Sequence, residues 1–139
     1  MATSRTNKRE KPCILMVDDE RIVLDSIRLL LQRNGVEVDA YYEPTAAISE
    51  FRAGVYDLVI LDIKMQGMDG FRLYRELRKV DKDVRICFLT AFDVSKADFG
   101  TIFPDMVVCK FLTKPVQIAD ILDEVRHSSS STQTVRSSS

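Results

Sequence analysis

The chain has 139 residues, room for one domain of ordinary size and too little for two. It is 45% hydrophobic and 29% charged, a balance that lets a chain of this length close a core without staples. A formal net charge of −1 gives no global basic field for nucleic acid or anionic lipid, no apolar run is long enough to span a membrane, and the charged N-terminus lacks the apolar stretch of a secretory signal, so the cytoplasm is the expected compartment.

Residues 1–11 read as a polar, basic flexible tail, 12–127 as the folded domain, and 128–139 as a Ser-rich flexible tail or truncated linker. Short apolar runs predict strands over Cys13–Val17, Val36–Tyr42, Leu58–Leu61, Val84–Leu89 and Met106–Leu112. Helical spacing fills the gaps. The first helix places Ile22, Ile27, Leu30 and Leu31 on its apolar stripe and stops at Gly35. The second covers Thr45–Ala53, ended by Gly54. The third covers Phe71–Val80, with Phe71, Tyr74, Leu77 and Arg78 as its stripe. Gly100 and Pro104 predict a short or distorted helix within Asp93–Asp105, and a last helix covers Ile118–Val125. Cys13, Cys87 and Cys109 are odd in number and widely spaced, and each reads as a small buried hydrophobe, with a redox or metal role as the alternative.

Alternation of this kind implies an α/β fold, a doubly wound parallel sheet with helices on both faces. Its functional crevice lies at the carboxyl ends of the strands. There the sequence puts Asp18-Asp19-Glu20 after strand one, Asp62 after strand three, Thr90 after strand four and Lys114-Pro115 after strand five. Crowded carboxylates are costly without a cation, and hard oxygen ligands in an open site suit Mg²⁺. A metal, an ammonium, a hydroxyl and a carboxylate oxygen together make a phosphoryl-transfer site with Asp as nucleophile. Taken singly, each residue has a plainer reading: Asp18 or Asp19 as a helix cap, Thr90 as a turn residue, Lys114 as a solvated surface charge. The conjunction at four strand ends favours the site.

Ile14-Leu15-Met16-Val17-Asp18-Asp19-Glu20, Leu58-Val59-Ile60-Leu61-Asp62-Ile63-Lys64-Met65, Met68-Asp69-Gly70, Leu89-Thr90-Ala91 and Phe111-Leu112-Thr113-Lys114-Pro115 stand in an order and spacing that resembles the receiver domain of two-component response regulators. The resemblance implies a five-stranded parallel sheet of flavodoxin-like order 2-1-3-4-5. It implies Asp62 as phosphoacceptor, with Mg²⁺ (or Mn²⁺ in its place) held by Asp18, Asp19, Asp62 and the backbone carbonyl of Lys64. Lys114 and Thr90 would contact the phosphoryl group, Thr90 and Phe111 would be the moving switch residues, and the Lys114–Pro115 peptide would be cis. The donor would be a sensor histidine kinase or phosphotransfer protein, and the product a signalling switch, not an enzyme acting on other substrates, with a downstream protein target. Lys64 and Phe92 would flank the face that hydrolytic water must approach and slow the loss of the phosphoryl group.

The sequence departs from the family pattern in three places. Gln66 stands where a Pro is usual two residues before Met68, and Gly67 follows, so this loop is expected to be looser. Phe99–Asp105 replaces an Ala- and Gly-rich stretch, and Phe111 lacks the hydroxyl of the commoner Tyr. Two other classes fit less well. A Mg²⁺-dependent phosphohydrolase with an Asp nucleophile would want a second Asp where Lys64 stands, and a scaffold that is never phosphorylated would not need the full residue set. The short polar stretch after the last helix leaves no room for a helix-turn-helix, so direct nucleic-acid binding is not expected.

Overall fold

The computed structural model describes residues 11–91 and 110–129. In chain order these form β1 (Cys13–Val17), α1 (Arg21–Arg33), β2 (Glu37–Tyr41), α2 (Pro44–Glu50), β3 (Leu58–Asp62), α3 (Gly70–Val80), β4 (Ile86–Thr90), β5 (Lys110–Thr113) and α4 (Ile118–Ser129). The strands make one parallel sheet in the order β2-β1-β3-β4-β5. This is the expected fold class and strand order. The expected helix within Asp93–Asp105 and the first part of the Met106–Leu112 strand lie outside the described residues.

Every residue of β1, β3 and β4 is buried, because helices cover both faces of the sheet. Alternate residues feed two cores. Val59, Leu61 and Phe88 pack with Ala47, Leu73 and Leu77, while Leu58, Ile60 and Leu89 pack with Leu24, Ile27, Leu31 and Ile121. Strand β2 forms one edge, where buried Val38 alternates with exposed Glu37 and Asp39. Cys13 is buried and outside any disulfide, as expected of a small hydrophobe; Cys87 is buried but disulfide-bonded, against that expectation. Cys109 lies outside the described residues.

Three helical details differ from expectation. In α1 the buried stripe is Leu24, Ile27 and Leu31, spaced at three and four residues, whereas Ile22 is 83% exposed and Leu30 is also exposed. Helix α2 ends at Glu50, three residues before the expected Ala53. Phe51 leaves the helix at φ −67°, ψ 134°, which buries its ring against Tyr56 at 5.8 Å between centroids, and Gly54 serves the following loop at φ +80°. In α3, Leu73 takes a core place beside Tyr74 and Leu77. Arg78 instead lays its guanidinium over the Tyr74 ring and donates to the carbonyls of Asp81, Lys82 and Val84, pinning the turn into β4.

Candidate functional site

The parallel register brings the strand ends together. Asp62 closes β3 opposite Leu89, and Thr90 closes β4 opposite Thr113. The Thr90 carbonyl accepts the Lys114 N–H at 2.8 Å, and the Lys114–Pro115 peptide that follows is cis, as implied by the resemblance. Asp18 follows β1 directly, and its N–H donates to the Tyr41 carbonyl at 3.2 Å. Asp18, Asp62 and Thr90 are all buried, and Asp19 is half-buried.

Lys114 is the electrostatic hub. Its Nζ lies 2.7 Å from Glu20 Oε1, 3.0 Å from Asp18 Oδ2 and 3.3 Å from Asp62 Oδ2. Burial alone would lower this ammonium, but the hydrogen bond to Glu20 and the nearby carboxylates of Asp18 and Asp62 outweigh it and raise it. Burial, then the neighbouring Asp18 carboxylate, push Asp62 up to about 7, against the opposing pull of Lys114.

One carboxylate oxygen from each of Asp18, Asp19 and Asp62 lies within 4.8 Å of the others. Asp18 Oδ1 accepts the Glu20 N–H at 2.9 Å. Asp18 Oδ2 is buried without a hydrogen bond, its contact with Lys114 being an ion pair lacking hydrogen-bond geometry. Three close carboxylates, one of them with a buried oxygen that no hydrogen bond satisfies, make an all-oxygen cluster of the kind a hard divalent cation takes, so the residues present fit Mg²⁺.

An open groove of about 770 Å³ runs from this cluster along α1. Asp62, Lys64, Thr90 and Lys114 line its polar end, and Ile22 and Leu30 its apolar side. Lys64 is therefore beside the site and exposed. Phe111 is half-buried and stacks on the core residue Phe88, with centroids 5.7 Å apart. Phe92 lies outside the described residues.

Three participants carried no expected role. Glu20 follows the two aspartates, but its pairing with Lys114 spans 94 positions and has no local signal. The Gln66 N–H donates to Asp19 Oδ2 at 2.9 Å, so the loop expected to be looser is instead tied to the acidic cluster. Gly70 was part of the motif, and its reason is contact: a Cβ there would collide with the Asp62 carbonyl and lie 2.9 Å from Ile63 Cα.

The family model for the response regulator receiver domain matches residues 14–126. YkoG of Bacillus subtilis (strain 168), named as an uncharacterized transcriptional regulatory protein, is 33% identical over 84% of this chain and 50% of its own length. Response regulator MprA of Mycobacterium avium (strain 104) is 33% identical over 81% of this chain and 49% of its own. The chain thus spans about half the length of these relatives, and the name of the first is at odds with the expectation against nucleic-acid contact. Among solved structures, response regulator TrrA from Thermotoga maritima, in complex with Mg(2+)-BeF, superposes with a TM-score of 0.70 at 32% identity, covering 84% of this chain and 98% of that one. A receiver domain protein from Clostridium thermocellum gives 0.74 at 25% identity, covering 88% and 97%. On sequence and on fold, this chain belongs to the response regulator receiver domains of two-component systems.

Proposed function

We propose that Asp62 accepts a phosphoryl group from the phosphohistidine of a sensor histidine kinase or phosphotransfer protein, in the cytoplasm. The observation that carries this reading is the Lys114 ammonium held 3.3 Å from the Asp62 carboxylate at the mouth of an open groove. A carboxylate oxygen of Asp62 attacks phosphorus, the P–N bond breaks, and the imidazole leaves with the electron pair. The chain's own contribution is position and charge. Lys114 faces the arriving phosphoryl oxygens, and Thr90, buried at the same end of the groove, turns its hydroxyl toward them on phosphorylation. Asp18, Asp19, Asp62 and the Lys64 carbonyl would hold Mg²⁺, or Mn²⁺ in its place. When bound, the cation offsets the charge of the acidic cluster and of the phosphoryl oxygens.

The apolar side of the groove, with Ile22 exposed next to the acids, suits contact with the donor protein. Phosphorylation then biases Thr90 and Phe111, changing the surface offered to a downstream protein. Lys64, exposed beside the site, slows hydrolysis of the product by pairing with a phosphoryl oxygen, and the same slowing is proposed for Phe92, which lies outside the described residues. Intact-mass measurement after incubation with acetyl phosphate and Mg²⁺ tests the reading. Wild type is expected to gain one phosphoryl group and Asp62→Ala none, and equal labelling of both defeats the assignment.

A further inference from the structure

We infer that the backbone N–H of Gln66 is a positioning group for the cation site: it holds the Asp19 carboxylate, and the loop after Asp62, in the arrangement that receives Mg²⁺. The inference rests on the Mg²⁺ reading above.

The loop leaves β3 at Asp62 and enters α3 at Gly70. Its base is closed by the Gly70 N–H donating to the Ile63 carbonyl at 2.8 Å, and the helix start is capped by Asp69 Oδ1, which accepts the Arg72 N–H at 2.9 Å. Between those anchors the chain turns through Gly67 at φ +86°, and the Gln66 N–H meets Asp19 Oδ2 at 2.9 Å. That single bond crosses 47 positions and joins the β1 end to the loop that carries the Lys64 carbonyl.

Asp19 is half-buried and shares its neighbourhood with two other carboxylates. Like charge drives such a side chain outward, toward water. A fixed N–H donor to Oδ2 opposes that and holds the carboxylate beside the cluster. A carboxylate has acceptor sites for both a donor and a cation, so the bond orients the ligand without displacing the metal. Proline has no N–H, so a chain with Pro at this place lacks the anchor. The glutamine side chain plays no part: what matters is that residue 66 is not proline.

The test compares Gln66→Pro, which deletes the N–H, with Gln66→Ala, which keeps it, in the full chain. Calorimetric Mg²⁺ binding is expected to weaken roughly tenfold in Gln66→Pro, the lower end of what outer partners of metal ligands contribute. In Gln66→Ala it is expected to stay within about twofold of wild type, a shift too small to count as loss of such a partner. Equal affinity of Gln66→Pro and wild type overturns this inference alone, and so does equal weakening by both variants. Wild type that binds no Mg²⁺ overturns the Mg²⁺ reading and this inference with it. Amide hydrogen exchange needs no variant. The Gln66 amide is expected to be protected in metal-free wild type and more so with Mg²⁺, and an unprotected amide in both states also overturns the proposal.

Discussion

Asp62 titrates far above an ordinary carboxylate, at about 7, first because it is buried and second because Asp18 faces it. A carboxyl raised by folding binds its proton more tightly in the native state than in the unfolded one. The native state therefore bears no penalty below the ordinary carboxylate range. The penalty grows as pH rises from there through about 7, and it is complete above that. Asp62→Asn removes it. Metal-free melting temperature is expected to rise by roughly 5 °C at pH 8 and by less than half as much at pH 5, read from thermal melts in chelator. A gain that is the same at both values would mean that charge at Asp62 is not the source. The residue types at the strand ends were legible in the sequence because each has few other uses in that combination. Glu20 was not legible as the partner of Lys114, because an ion pair formed by folding leaves no periodic trace. Nor was the Gln66 N–H, since every residue but proline has one.

Among the elements, α3 starts against the backbone that delivers Asp62. Gly70 lies where a side chain would meet the Asp62 carbonyl and Ile63 Cα. Backbone cannot swing aside as a side chain can, so Gly70→Ala forces α3 away from β3. It is expected to destabilise by roughly 2 kcal/mol, as overpacking does, seen as a lower urea midpoint at unchanged slope. Element type and order were legible from apolar period alone, as the five strands demonstrate. Helix faces were less so. The predicted α1 stripe included Ile22 and Leu30, which are exposed, because seven apolar residues in a 13-residue helix fit more than one face and only packing on the sheet chooses Leu24, Ile27 and Leu31. The end of α2 was misplaced because Gly54 marks a turn there, while burial of Phe51 breaks the helix earlier.

For the whole molecule, the two edges of the sheet divide the work. The carboxyl ends of the strands carry the acidic cluster, and the opposite edge carries a clamp. Glu124 of α4 is buried and pairs with Arg85 at 3.2 Å and Lys110 at 3.4 Å, residues at the starts of β4 and β5. Removing a buried partner usually costs more than an exposed one. Here both cations reach water, so Glu124→Ala is expected to cost roughly 1–2 kcal/mol, below the range for a fully buried pair, with Asp62 labelling by acetyl phosphate unchanged. Loss of labelling would mean that the clamp reaches the site. The margin of the sheet along β2, which pairs with no further strand among the described residues, has its own consequence. Unpaired strand backbone is a template for joining a second chain. Here such a junction would stack the exposed Glu37 and Asp39 of one copy against their counterparts in the other. Near neutral pH that repulsion keeps the molecules from growing into a continuous sheet. Acidification below the carboxylate range would remove the barrier and leave Val38 and its neighbours open to aggregation.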